Sequence, residues 1–189
     1  MPELETDATT FLIHAKRAIR NICQLPSVFF QVEPKDTDFD HLLKRLLKIS
    51  DVPELLTGFV RNNAAGVRYI SSLRNFQEHP GARRTIIDNF KVLPNAVAVP
   101  MWYISGDTPR PIGKEMPAAV EFLTQMTEAM LIHLVMASVT KNFPFIIVPI
   151  EEAKVDPKKP IKYRLSVDMA RLNVKPVPPR ARFLTSRSH

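Results

Sequence analysis

Hydrophobic residues recur every three or four positions over most of the chain, and short polar segments with prolines separate these stretches. Spacing of this kind is typical of amphipathic helices. The first such stretch has apolar residues at Phe11, Leu12, Ala15 and Ile19. The pattern predicts four main helices, over residues 7–24, 36–49, about 51–78 and 117–141.

The third helix has the clearest boundaries. Asp51 is a suitable N-cap and Pro53 suits the first turn, where its missing N–H has no partner to lose. Pro80 and Gly81 cannot extend a helix, so we expect it to end at about Glu78. Its apolar residues share one arc, and an arginine and an asparagine interrupt that arc.

Two other regions predict strands. Residues 85–105 are rich in β-branched and aromatic residues and are interrupted by prolines, which favours one or two edge strands. After the fourth helix, "FPFIIVPI" and "IKYRLSVD" predict two more strands, and the second alternates apolar with polar residues as a half-buried strand does. We expect loops over 26–36 and between the β region and the fourth helix.

These elements predict a mainly α fold, a helical bundle of four main helices with a small β element from residues 85–105 and 143–168. We expect one domain over residues 1–173. Residues 174–189 have three prolines, five basic residues and no acidic one, which is typical of a disordered basic tail.

Charge and composition narrow the class of protein. The formal net charge is +7, with a pI near 9.7, which favours an acidic partner such as nucleic acid or a basic surface with no partner. The chain contains one cysteine, Cys23, which excludes an intrachain disulfide and a multi-cysteine metal site. Glu121, Glu128 and His133 lie in the fourth, most apolar helix and argue against a membrane span. We expect a cytoplasmic protein without a cofactor.

Several enzyme classes lack their sequence motifs. There are five glycines and no glycine-rich phosphate-binding loop, which argues against a nucleoside triphosphatase or a dinucleotide-dependent dehydrogenase. No nucleophile elbow of a serine hydrolase is present. Trp102 and Tyr103 could stack on a base, but aromatic residues in a predicted strand fit a core better, and His133 fits a core or an interface.

The segment "SSLRNFQEHPG", at the end of the third helix, contains the best candidate site. Arg74 carries a permanent charge and can donate two hydrogen bonds to phosphate oxygens. His79 can exchange a proton near neutral pH, and Asn75 can orient the imidazole or a substrate. RNA supplies its own nucleophile, the 2′-hydroxyl, so these three residues could cleave it without a metal.

Other basic residues are candidates for RNA binding. Arg61 and Arg68 share a helical stripe with Asn75 and His79, and two more arginines, Arg83 and Arg84, follow the motif directly. The alternative is that these residues form a solvated basic surface. Likewise, Arg74 and His79 could simply pair with carboxylates or with the last carbonyls of the helix.

The string "LRNFQEH", residues 73–79, resembles the R-x4–6-H motif of the HEPN superfamily, in which a polar residue often follows the arginine. The resemblance implies an all-α bundle and, in many members, a metal-independent endoribonuclease of a toxin–antitoxin, abortive-infection or CRISPR system. Members usually dimerise, so that two motifs face one composite site. Arg74, Asn75 and His79 match the motif positions.

The sequence therefore predicts a HEPN-like endoribonuclease of a toxin–antitoxin or phage-defence system, acting on RNA as a homodimer, with an antitoxin protein as a possible partner. The alternative is a non-catalytic module that binds a nucleotide, RNA or a protein. The two hypotheses differ in the surroundings of Arg74 and His79. An enzyme should present both in an open groove, whereas a structural role should bury them against carboxylates.

Overall fold

The computed structural model describes residues 3–30, 33, 37–139, 144–157 and 161–168 of the 189. The chain divides into two compact units, Met1–Lys141 and Asn142–His189. The predicted basic tail over 174–189 lies outside the described residues.

The described residues of the first unit form four α-helices and two small antiparallel sheets. A mainly α fold with four main helices and a small β element is therefore confirmed. The helices are α1 (Glu3–Phe30), α2 (Phe39–Leu46), α3 (Glu54–Glu78) and α4 (Ile112–Val139). None of the helices in the described part of the chain is both long and apolar enough to cross a membrane.

Helix α1 is longer than predicted at both ends, and the loop predicted from Pro26 is wrong for residues 26–30. Pro26 removes one helical hydrogen bond, which normally disfavours a helix. Here its ring is buried, and Phe29 and Phe30 pack against the core one turn later. Burial of these apolar groups offsets the lost hydrogen bond.

The bounds of α2 and the cap of α3 also differ from the prediction, since α2 spans only Phe39–Leu46 of the predicted 36–49. Asp38 caps α2, because its carboxylate accepts a hydrogen bond from the backbone N–H of His41 at 2.8 Å. Asp51 adopts a left-handed backbone conformation with φ of 68° and does not cap α3. Pro53 occupies that N-cap position without a side-chain hydrogen bond. The predicted end of α3 at Glu78 is confirmed.

The region between α3 and α4 forms five strands where one or two were predicted. Strands β1 and β4 pair antiparallel and β4 also pairs with β5, while β2 and β3 form a separate hairpin. Prolines divide the region, because Pro94 falls in the turn between β2 and β3, and Pro100 separates β3 from β4. The strands are β1 (Thr85–Asp88), β2 (Lys91–Leu93), β3 (Ala96–Ala98), β4 (Met101–Ile104) and β5 (Arg110–Pro111).

Helix α4 begins at Ile112, five residues before the predicted start, and so includes Pro117. Ile112 is buried, and its N–H donates to the carbonyl of Pro100 at 3.0 Å, which fixes the first turn against the sheet. A helix as apolar as α4 is expected to be buried on most sides, but Val120, Leu131 and Met136 are exposed.

Two buried clusters form the core of this unit. The larger one joins all four helices, and in α4 it includes Leu123, Met126, Met130 and Leu134. The smaller one attaches the three-stranded sheet to α1, α3 and α4 through Trp102, whose ring is 1% exposed. Trp102 is therefore a core residue, as its place in a strand predicts. His133 packs on Phe59 with 4.9 Å between ring centres, and burial lowers its pKa.

The second unit contains a hairpin of β6 (Phe145–Pro149) and β7 (Tyr163–Val167), which confirms the two predicted strands. The register pairs Phe145 with Val167. The predicted half-buried alternation in β7 is wrong, because Tyr163, Leu165 and Val167 are all exposed. Within the described residues of this unit, the hairpin is the only sheet and has no second layer of its own to cover it.

Candidate functional site

The motif lies in the last turn of α3, where α1 runs alongside. Leu73 packs in the smaller core cluster, and Arg74, the next residue, is largely shielded from solvent. Arg74 is only 16% exposed, and its Nη2 lies 2.8 Å from Glu78 Oε1. Its Nη1 donates to Gln77 Oε1 at 3.2 Å. Two acceptors on its own helix thus hold the guanidinium.

These contacts belong to a network that connects the end of α3 to α1. Gln77 Nε2 donates to Thr9 Oγ1 at 2.7 Å, and Lys16 Nζ lies 2.8 Å from Glu78 Oε2. Glu78 therefore accepts from two cations, one on each helix. The network fixes both the helix pair and the orientation of Arg74.

Glu78 is the electrostatic centre of this network. The hydrogen bond from Lys16 holds the pKa of the Glu78 carboxyl below its usual range, against a desolvation effect in the opposite direction, and the charge of Arg74 adds to the lowering. The carboxylate is therefore ionised at neutral pH and neutralises part of the charge that Arg74 could offer to a ligand.

This network should make the stability depend on pH in acid solution. Because the Glu78 pKa is lower in the folded than in the unfolded state, its contribution is complete above pH 4.5, its ordinary value, and is lost as the pH falls through the folded-state pKa. We expect Glu78→Gln to lower the free energy of unfolding by about 0.5–1 kcal/mol at neutral pH. The difference from wild type should shrink below pH 4.5 in urea titrations.

Glu5→Gln is the matched control, because Glu5 is an exposed glutamate in the first turn of α1. It should leave the same stability curve nearly unchanged at every pH. A Glu78→Gln difference that stays constant from pH 7 to well below pH 4.5 would contradict the assigned role of this carboxylate.

Asn75 and His79 have different surroundings from Arg74, because both are exposed. They lie one turn apart, and the backbone N–H of His79, the C-cap residue, donates to the carbonyl of Asn75 at 2.9 Å. The three motif residues therefore have two different environments. Arg74 is held by Gln77 and Glu78, which also bond to side chains of α1, while Asn75 and His79 lie on an open surface at the helix end.

Two of the predicted RNA-binding arginines lie just beyond this end. The guanidinium of Arg83 is 5.5 Å from the centre of the Phe76 ring and pairs with Asp107 at 2.5 Å. The backbone N–H of Arg84 donates to Ser105 Oγ at 3.0 Å, which places Arg84 at the start of β1 with an exposed side chain. These two residues extend the basic surface around the motif.

The other two arginines are farther away along α3. Arg68 donates to both carboxylate oxygens of Asp40, at 2.9 and 2.7 Å, and this pairing lowers the Asp40 pKa. Arg61 is exposed, but at 1.5 Å per residue it lies about 27 Å from His79 along the helix axis. The structure does not bring Arg61 and Arg68 together with the motif.

The sequence analysis did not identify the partners of Arg74. The pairing with Glu78 was detectable, because residues four apart on a helix are neighbours. Thr9 and Lys16 reach the motif only through the packing of α1 on α3, and no local pattern signals that. Among the described residues, no three His, Cys, Asp or Glu side chains form a group that could hold a metal ion.

The motif offers an anion two kinds of contact, one from Arg74 and one from the exposed residues beside it. An arginine has five N–H donors, and two of those of Arg74 already have acceptors within the protein. Asn75 and His79 add a neutral donor and a titratable group on the surface beside it. Comparison of the chain with protein-family models, curated proteins and solved structures finds no match in any of the three.

Proposed function

We propose that this chain is a HEPN-like protein that acts on RNA, cleaving it without a metal as a homodimer, in the manner of toxin–antitoxin or phage-defence ribonucleases. The observation that carries the proposal is the position of the motif. Arg74, Asn75 and His79 occupy one helix end, with the histidine and the asparagine exposed.

Arg74 has three N–H donors beyond the two that Gln77 and Glu78 occupy. A guanidinium whose orientation is fixed in this way stabilises charge that develops on a phosphate with little reorganisation, provided that the phosphate takes only these remaining donors. Arg84 and the Lys16 ammonium add positive charge nearby. The phosphate backbone of RNA is the natural partner for such a surface.

In this mechanism the 2′-hydroxyl of RNA attacks the adjacent phosphorus, and the bond to the 5′-oxygen of the next nucleotide breaks. His79 takes the proton of the 2′-hydroxyl or gives a proton to the leaving 5′-oxygen. Arg74 stabilises the charge on the phosphorane, and Asn75 orients the imidazole. The products are a 2′,3′-cyclic phosphate and a 5′-hydroxyl. Dimerisation would bury exposed apolar side chains of α4 such as Val120 and Leu131, which lie about 20° apart around the helix axis at 100° per residue.

A second candidate is a non-catalytic module that binds RNA or another partner. The surroundings of Arg74 favour it, because the side chain is largely buried and bound to a carboxylate. A phosphate gripped by both arms of the guanidinium would have to displace Glu78. In this case the network would only join α1 to α3, and the exposed residues would form the binding surface.

Incubation of a labelled single-stranded RNA with the purified protein in EDTA separates the two candidates. We expect fragments with cyclic phosphate and 5′-hydroxyl ends, because the nucleophile belongs to the RNA. Arg61→Ala is the control and should cut equally well, since Arg61 lies about 27 Å from His79.

Each of the other possible outcomes would contradict part of the proposal. Salt-dependent RNA binding without fragments would favour the non-catalytic module. Fragments that form only without EDTA would contradict the metal-independent mechanism. If the protein neither binds nor cuts RNA at low salt, both candidates are wrong.

A further inference from the structure

The first unit contains a pocket of about 150 Å³ between α1, α3, β4 and the first turns of α4. Phe11, Tyr69, Trp102 and Phe122 give it four aromatic walls, and the remaining lining is almost entirely aliphatic. A dry apolar cavity of about this volume is large enough for a benzene-sized molecule. The walls therefore fit one flat ring.

The pocket is separate from the motif. Tyr69, Ile70 and Leu73 face it from α3, on an arc centred about 150° away from the one that holds Asn75 and His79, at 100° per residue. A ligand in the pocket would therefore not contact the exposed part of the candidate RNA site. A role of the pocket does not depend on the proposed function.

Two buried hydrogen-bond donors belong to its walls. Tyr69 Oη and Trp102 Nε1 are both shielded from solvent, and neither makes a hydrogen bond of normal geometry within the described residues, although the Trp102 and Glu115 side chains lie near enough to the Tyr69 hydroxyl to affect its pKa. Burial raises the pKa of the Tyr69 hydroxyl, so it remains a neutral donor at physiological pH. Buried polar groups are normally hydrogen-bonded, and leaving one unpaired is unfavourable.

Charged residues at one side of the pocket limit the charge of an occupant. Glu115 contributes to the lining and pairs with Arg110 at 3.4 Å, and the Arg110 guanidinium stacks 4.6 Å from the centre of the Tyr69 ring. The ion pair of Glu115 and Arg110 has no net charge, and of the two residues Glu115 lines the pocket. A negatively charged ligand would meet this carboxylate in an apolar site, where burying a charge is unfavourable.

We propose that this pocket binds a small neutral aromatic molecule with a hydrogen-bond acceptor, of about the size of phenol. The ring packs among the four aromatic walls, and a slight turn of the half-buried Tyr69 ring brings the acceptor to Tyr69 Oη or Trp102 Nε1. Toluene has as many heavy atoms as phenol but lacks the hydrogen-bond acceptor. Benzoate has acceptor oxygens but carries a negative charge.

Trp102 is the only tryptophan of the chain, so its fluorescence reports directly on the pocket. Titration with phenol should change this emission with a dissociation constant on the order of 0.1–1 mM, as expected for so few atoms. Toluene should bind about fivefold more weakly, which corresponds to the usual net contribution of one hydrogen bond. Benzoate should bind at least about tenfold more weakly than phenol.

Ala119→Leu fills the pocket, and Ala65→Leu adds the same atoms at an exposed position of α3 outside it. Phenol binding should be lost in the first variant and unchanged in the second. Ala118→Leu, at an exposed lining position, provides a second filling variant if Ala119→Leu does not fold. Unchanged binding in a folded filling variant, absence of any response to phenol, or equal binding of toluene and phenol would overturn the proposal.

Discussion

Replacing His79 with alanine is expected to abolish RNA cleavage while leaving RNA affinity within a few-fold of wild type. A positioned acid or base contributes about 10²–10⁴-fold to a rate, whereas a neutral imidazole contributes little to binding. His79 is exposed at the helix end, so its removal should leave the melting temperature nearly unchanged. Single-turnover cleavage and RNA-binding titrations measure the two effects separately.

The Arg74 variants should give a different result. Arg74→Ala should weaken both binding and cleavage, because a guanidinium on phosphate acts in the ground state and more strongly in the transition state. Arg74→Lys should restore only part of either activity, because an ammonium lacks the two-pronged geometry. It should also recover part of the stability lost in Arg74→Ala, since Lys can still pair with Glu78.

His14→Ala is the matched control for these variants, since His14 is an exposed histidine on α1. It should cleave RNA as wild type does. Cleavage that persists undiminished in His79→Ala would rule out the proposed proton transfer. Loss of RNA binding in His79→Ala, with the fold intact, would instead make this histidine a binding residue.

The second large effect concerns stability. Trp102→Ala is expected to lower the free energy of unfolding by about 3–5 kcal/mol, the usual range for removing a large buried aromatic ring. Trp102 is 1% exposed and joins the three-stranded sheet to α1, α3 and α4. In a chain of this size the melting temperature should fall by about 6–20 °C.

Val92→Ala, in β2, is the control for this prediction, because Val92 is 87% exposed in the same β region. It should change the free energy of unfolding by less than about 0.5 kcal/mol. A Trp102→Ala loss below about 1 kcal/mol would show that the smaller core cluster contributes little, and that the sheet is attached by other contacts.

The helical part of the fold was predictable because its signals are local. The end of α3 follows from Pro80 and Gly81, and the four helices follow from apolar spacing. The errors arise where tertiary contacts override local preference. Pro26 continues α1 because its ring and the following phenylalanines are buried, and α4 begins early because Ile112 anchors it to the sheet.

The sequence alone indicated which residues form the candidate site, but it did not indicate how they are arranged. The sequence identifies Arg74, Asn75 and His79, but their two different environments depend on α1. Lys16 lies 62 residues from Glu78 along the chain, and only helix packing brings them together. The same packing creates the pocket beside Trp102, which the sequence analysis did not predict as a site.

The hairpin of β2 and β3 has a consequence for the behaviour of the protein in concentrated solution. Val92, Val97 and three neighbouring apolar residues are exposed there, and within the described residues the two strands pair only with each other. Both outer edges therefore present unsatisfied peptide groups beside apolar side chains, the combination that promotes edge-to-edge association of sheets. Lys91 is the charged residue within these strands, and it pairs with Asp88 at 3.2 Å, so little uncompensated charge opposes self-association.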